Sequence, residues 1–172
     1  RDLEAVAHVH EPVLVGDLRS LKHTSSDLDL GLDLVPFDDE NAPDPLTVEV
    51  FDTNNLPGPI TVGRDDAVTG KASAECIEAA VRLCQEGRID AIATAPISKK
   101  AISLGGYDYP GHTEFLAELT GTKDFRMSFF ADKLRVVLLS THVSLRRAID
   151  LVTTDGLTEL IRFTDEHLSR LL

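Results

Sequence analysis

No apolar run in the chain approaches the roughly 18 residues that a membrane-spanning helix requires, so a helical membrane span is excluded. Positive charge is scarce: 17 Lys and Arg stand against 29 Asp and Glu, a formal net charge of -12. Nucleic-acid binding draws its affinity from clustered basic side chains, so a broad footprint on a phosphate backbone is excluded as well. Any anionic ligand must be held by a local positive patch. Cysteine is nearly absent. Cys76 and Cys84 lie on one expected helix, and their spacing gives a rise of about 12 Å, too far to bridge. They read as reduced core residues of a cytosolic protein. Also missing are a GxGxxG fingerprint after a strand, an HExxH or CxxC pair, a GxSxG elbow, internal repeats and low-complexity tracts.

What is there is ordinary for a soluble globular protein: 172 residues, 42% hydrophobic and 27% charged, enough for one core or for most of a larger domain and part of a second. The chain opens on Arg1 without an initiator Met and closes on "EHLSRLL" in mid-periodicity. The expected reading is an internal piece of a longer chain.

Short β-rich runs alternate with helical patterns. "PVLVGD" (Pro12 to Asp17) reads as a buried strand leading to a turn, and "LDLGLDLVPF" and "LTVEVFD" alternate at period two as further strands. Between those two lies the polar turn "DDENAPDP", and "TNNLPGPITVGRDD" reads as a loop in which Asp65 and Asp66 form a solvated turn. Thr69 is the expected N-cap of a helix that buries Cys76, Ile77, Ala80, Val81 and Cys84 on one face and ends at Gly87. "IDAIATAP" reads as a buried parallel strand, "ISKKAISLGG" as a short helix, and Glu114 to Leu119 as a helix stopped by Gly121. "RMSFFAD" and "LRVVLLST" are two strands around a turn at Asp132 and Lys133, and a final helix runs from Leu157. This alternation predicts an α/β protein on a mainly parallel or mixed sheet, with ligands beyond the carboxyl ends of the strands.

That rule singles out three places. After "IATAP", Ser98, Lys99 and Lys100 stand at a helix start, offering N–H groups and a cation to a phosphate or carboxylate, or forming only a solvated lysine pair. In "PGHTEF" a helix begins at His112 or Thr113, where free N–H groups and two side-chain donors favour an anion. Simple capping by Thr113, with His112 exposed, is the alternative. After "LLST", His142 is placed either as a ligand or as a hydrogen-bonding turn residue, with Arg146 and Arg147 one turn further on as an anion pair or a solvated face. His8, His10, His23 and His167 read as surface or capping residues.

In order and spacing, "TAPISKK", "YPGHTEFLAELTG" and "STHVSL" resemble the 4-hydroxythreonine-4-phosphate dehydrogenase family of the pyridoxal phosphate pathway. The resemblance covers nearly the whole chain, with "PVLVGD" and "TGKASAECIEAA" falling where that family has a strand and a helix. It implies an isocitrate/isopropylmalate dehydrogenase-like two-domain fold, incomplete here at both ends, with residues 1–100 in a first α/β domain and 101–172 beginning a second. It also implies a cytoplasmic homodimer whose active site is shared between subunits, binding NAD (or NADP) without the usual glycine pattern. A divalent metal (Zn, Mg or Co) would be held by three histidines.

Carried over residue by residue, the resemblance gives His112 and Thr113 contact with the phosphorylated substrate and makes His142 the first metal ligand. Ser98 and Lys99 remain anion-binding candidates. The other metal histidines and substrate contacts have no counterpart before Leu172, no single catalytic residue is assigned, and Ser144 stands where many members have proline. The implied chemistry is NAD-dependent oxidation, with decarboxylation, of 4-phosphohydroxy-L-threonine, the metal lowering the pKa of the reacting alcohol. Threonate or erythronate 4-phosphate is the neighbouring substrate, and a non-catalytic phosphate-ligand-binding domain or a zinc hydrolase is the rival from another class. Neither nucleic acid nor membrane is expected as a partner, and the 172-residue piece alone is expected to be inactive.

Overall fold

A computed structural model describes residues 11–38 and 47–171. His8, His10 and, apart from Asp38, the "DDENAPDP" turn lie outside the described residues. The chain divides into two compact units, residues 1–121 and 122–172. The architecture is α/β, as expected: a parallel sheet with helices in the first unit, and an antiparallel hairpin with helices in the second. Among the described residues no helix is long and apolar enough to cross a membrane.

The first unit is built on β1 (Val13–Gly16), β2 (Asp33–Pro36) and β3 (Thr47–Asp52), all parallel, in the order β1-β3-β2. The last strand to leave the chain is therefore the middle one, pairing Val50 with Leu14 on one side and with Pro36 on the other. A central strand is covered on both faces, and Val48, Glu49 and Val50 are all buried. Glu49 meets the cost of burial by accepting the N–H of Asp38 at 3.2 Å.

Between β1 and β2 runs α1 (Leu18–Asp27), a helix the sequence reading did not anticipate. Its residues are mostly polar, and only Leu18 and Leu21 pack on the cluster of Leu34, Val48 and Val50. The helix starts because the Asp17 carboxylate accepts the N–H of Ser20 at 3.0 Å.

The long helix α2 (Ala67–Gln85) buries Ala72, Ala74, Ile77, Ala79, Ala80, Val81 and Leu83. Cys76 and Cys84 flank that face half-buried and are free thiols. Burial pushes the Cys76 thiol up, against the lowering contacts of Thr53 and Asn55. The expected cap is corrected: Asp66, not Thr69, occupies that position, its Oδ1 accepting the N–H of Thr69 at 2.9 Å. Asp65 and Asp66 thus do not form a merely solvated turn. A carboxylate two residues before the helix interior both satisfies an orphan N–H and meets the positive end of the helix dipole, which Thr69, already inside, cannot do. Asp66→Ala is expected to lower the thermal midpoint by a few degrees, read by circular dichroism, while Thr69→Ala has a smaller effect.

Next come α3 (Lys99–Leu104) and α4 (His112–Thr120). At Gly70 of α2 and Gly105 at the end of α3 the two backbones touch: a Cβ on Gly70 would stand 1.7 Å from the Ala101 carbonyl oxygen, and one on Gly105 2.4 Å from the Lys71 nitrogen. Phe115 of α4, 1% exposed, seals the other side of α2 against Ala74 and Ile77. Gly121 closes α4 at φ +65.

"IDAIATAP" is not a strand. A strand exists by its ladder, and none of the described residues pairs with this run, of which Ala91 and Ala93 to Pro96 are exposed. Its alanines offer too little apolar area to hold it down otherwise.

In the second unit β4 (Ser128–Ala131) and β5 (Leu134–Val137) form the expected hairpin, turning at Asp132 with φ +48. Two helices follow, α5 (Leu145–Asp150) and α6 (Thr154–Leu171). The last helix begins one turn earlier than its apolar periodicity suggests, because Thr153 Oγ1 accepts the N–H of Gly156 at 3.0 Å. Arg126 lies 5.0 Å from the Phe163 ring centre and pairs with Glu159 and Asp124.

Candidate functional site

The start of α4 carries unmet polarity. Gly111 enters the helix in a fully extended conformation and supplies no side-chain cap, so the first-turn N–H groups keep no side-chain partner and present the positive end of the helix. Thr113 does not close the turn, and His112 is half-buried rather than exposed. Its Nε2 is fully buried without a hydrogen-bond partner among the described residues. Leaving such a nitrogen unmet costs about 1–3 kcal/mol, which a ligand that reaches the ring can recover. Acidity is close by: the Glu114 carboxylate would lie 3.5 Å from a Cβ at Gly111. An arriving anion must displace it.

This turn is braced by aromatic rings. Tyr109 stacks on Phe115 with ring centres 4.3 Å apart and planes 14° from parallel, and Tyr107 leans on the same ring at 5.6 Å. Burial, then the Glu78 carboxylate, raises the Tyr107 hydroxyl, and Glu118, accepting from Tyr109, raises that one. Both hydroxyls thereby keep their protons.

At α3, Ser98 is the N-cap, accepting the N–H of Ala101 at 3.2 Å and donating to Asp65 at 2.6 Å. Lys100 pairs with the same carboxylate at 3.6 Å. An anion arriving here meets the charge of Asp65, a residue whose part sequence reading missed, since nothing in "GRDD" signals contact with a segment 33 positions on. Lys99 is exposed.

His142 sits in the second unit, in the bend after β5, exposed and at φ +56. Left-handed backbone at a non-glycine residue is uncommon, although His, Asn and Asp adopt it more readily than other side chains. Ser144 caps α5 by accepting the N–H of Arg147 at 3.3 Å, and Arg146 and Arg147 are exposed. Among the described residues no three His, Cys, Asp or Glu side chains converge to hold a metal. His142 is an exposed imidazole that belongs to no such group among the described residues. His23, paired with Asp27 at 3.4 Å, and His167, its ring 4.1 Å from Phe163, are both exposed, the surface placement expected of them.

Sequence reading also missed a polar lock at the carboxyl ends of β1 and β3. Asp17, its side chain 2% exposed, accepts from Arg19 at 3.0 Å, from Ser20 and from the N–H of Leu56 at 3.3 Å. Arg19 also donates to the Leu56 carbonyl at 2.7 Å, and Asn55 donates to Ala72 and Glu75 of α2. Burial works to raise the Asp17 carboxyl, but Arg19 and the two N–H groups together bring it below its ordinary value. The only local signal was the Gly-Asp turn.

Comparison with known proteins bears on these residues. The family model described as pyridoxal phosphate biosynthetic protein PdxA matches residues 8–172. A relative from Oceanobacillus iheyensis is 36% identical over 175 residues, 98% of this chain and 51% of its own. The D-threonate 4-phosphate dehydrogenase of Salmonella typhimurium is 41% identical over 108 residues, 63% of this chain and 33% of its own. Among solved structures, the 4-hydroxythreonine-4-phosphate dehydrogenase of Burkholderia phymatum superposes with a TM-score of 0.82 at 32% identity, over 93% of this chain and 51% of that one. The enzyme of the same name from Klebsiella pneumoniae gives 0.82 at 36%, over 92% and 49%. The chain spans about half the length of the curated relatives it matches over nearly all of its own length.

Proposed function

We propose, from the premise that this chain belongs to the pyridoxal phosphate biosynthetic protein PdxA family, that it carries the phosphate anchor and one metal ligand of a dehydrogenase of four-carbon hydroxy acid 4-phosphates. The observation that carries this reading is the uncapped start of α4 with the buried, unpartnered Nε2 of His112. An uncapped helix start favours an anion, and His112 and Thr113 add donors that a phosphate can use. Gripping the substrate at its phosphate, away from the reacting carbon, supplies orientation rather than chemistry. Lys99 and Ser98 are a second contact for an anionic group, reached only if Asp65 gives way.

His142 is proposed as one donor to a divalent metal (Zn, Mg or Co), its imidazole presented to solvent from a left-handed bend. That metal, when bound, supplies Lewis acidity at the substrate's secondary hydroxyl. NAD or NADP is the proposed hydride acceptor, and no residue of this chain is assigned to it. The family resemblance supports the rest of the reading: an isocitrate/isopropylmalate dehydrogenase-like fold, two α/β domains meeting near residue 100, a cytoplasmic homodimer that completes the site, and an inactive 172-residue piece.

Two substrates fit the anchor equally. The solved structures carry the name of a 4-hydroxythreonine-4-phosphate dehydrogenase, while the Salmonella typhimurium relative is named for D-threonate 4-phosphate. Both place a secondary alcohol at the same remove from a terminal phosphate. Spectrophotometric NAD reduction by the full-length enzyme with each acid phosphate separates them: we expect turnover of one at least tenfold above the other. No reduction with either substrate, with metal supplied, would sink the dehydrogenase reading.

A further inference from the structure

The turn that presents His112 has no cap of its own. Gly111 offers no side chain, and its extended backbone is one that an unrestrained glycine leaves easily, since glycine loses more conformational freedom on ordering than any other residue. Something else must fix the direction in which the chain enters α4. In many helices this is done by an apolar pair bridging the residue before the cap and the fourth helical residue. Here Pro110 holds the position before the cap and is exposed, and the bridge is displaced by one residue: Tyr109 lies flat on Phe115, 4.3 Å centre to centre. Phe115 is itself buried, 1% exposed in the cluster with Ala74 and Ile77 of α2. The stack therefore reaches over Pro110, Gly111, His112, Thr113 and Glu114 and ties the loop before them to the core.

We propose that Tyr109 is a positioning residue for the phosphate anchor: its ring, stacked on Phe115, sets the Pro110–Gly111 turn so that His112 and the first N–H groups of α4 converge on one point, without Tyr109 touching the ligand. The inference rests on the anchor role given above to His112 and Thr113, and adds to it what makes the anchor rigid. Stacked aromatic pairs owe their worth to the ring and not to the hydroxyl, which makes the claim separable. The hydroxyl bonds Glu118 on α4 itself, a contact that Tyr109→Phe removes while keeping the stack. Tyr107, tilted against the same ring at 5.6 Å, is tied to Glu78 of α2 and lies two positions further from the helix start. Its removal therefore disturbs the turn less.

The test uses the full-length protein, with Tyr109→Phe and Tyr109→Leu, and two nuclear magnetic resonance readouts. The first is amide hydrogen exchange at Phe115 and Leu116, the first α4 residues whose N–H groups are bonded within the turn, that of Phe115 to the Gly111 carbonyl at 3.4 Å; the second is a titration with inorganic phosphate followed at Thr113 and Glu114. Tyr109→Phe should match the parent in both. Tyr109→Leu should exchange at least tenfold faster at Phe115 and Leu116 and bind phosphate about tenfold more weakly, while exchange in α2 stays unchanged. Unchanged exchange over the turn in Tyr109→Leu overturns the positioning role, as does equal loosening in Tyr109→Phe. If the turn loosens as expected but the parent itself shows no phosphate response, the positioning of His112 stands and the phosphate reading of the anchor fails.

Discussion

Gly70→Ala is expected to destabilise the first unit by about 3 kcal/mol or more, at or beyond the upper end of the usual cost of overpacking. The reason is that the obstacle is backbone. An added Cβ would stand 1.7 Å from the Ala101 carbonyl oxygen and 2.2 Å from its carbon, so no rotamer change relieves the clash. Relief requires α3 to move away from α2 by more than an ångström. That movement opens the contact in which Ala101 and Ile102 are buried, at 7% and 0% exposure, and drags Ser98 off Asp65. Urea denaturation followed by far-ultraviolet circular dichroism measures the loss. Gly105→Ala should behave similarly, since its Cβ would meet the Lys71 nitrogen at 2.4 Å. Gly121→Ala is the control: nothing lies within 4 Å there and only the left-handed backbone at φ +65 resists, a cost of about 1–2 kcal/mol. If Gly70→Ala proved no more harmful than Gly121→Ala, the close crossing of α2 and α3 would be wrong.

Neither contact was visible in the sequence, and the same division runs through the molecule. Features set by neighbours along the chain were legible. The β4–β5 hairpin followed from two apolar runs around Asp132 and Lys133, the end of α4 from Gly121, and the start of α4 from Pro110 and Gly111. Features set by distant partners were not. One local choice was missed too: Asp66 and Thr69 compete for one cap, and only the geometry shows which side chain reaches the free N–H. α1 is too polar for its periodicity to announce it, being fixed by Asp17 at one end and by the packing of Leu18 and Leu21. "IDAIATAP" has the composition of a buried strand and lacks a partner to pair with. For the candidate site, the placement of His112 and Thr113 at a helix start and of His142 after a strand was legible. The buried Nε2, the intrusion of Asp65 and the stack of Tyr109 on Phe115 were not, since each depends on side chains meeting across a turn or between helices.

Asp17→Ala should remove about 2–4 kcal/mol, because one carboxylate serves three contacts at once. Losing the cap of α1 costs about 1 kcal/mol, and stranding the N–H of Leu56 beside a buried site adds about 1–3 kcal/mol. The exposed guanidinium of Arg19 finds water in place of its partner and adds little. Asp17→Asn keeps an acceptor for Ser20 but turns an N–H toward Leu56 or Arg19, donor against donor, and should fall between parent and alanine. The dependence on pH identifies the mechanism. Burial raises the Asp17 carboxyl, yet Arg19 and the N–H groups of Ser20 and Leu56 outweigh it and bring it below the ordinary 3.8. A depressed folded-state value means that this stabilisation is complete above pH 3.8 and is lost as pH falls through the lower folded value. Urea midpoints measured from pH 7 down to pH 2 should therefore fall more steeply below about pH 4 in the parent chain than in Asp17→Ala or Asp17→Asn. Parallel acid limbs in all three would mean that the carboxylate holds the Leu56 loop by packing alone.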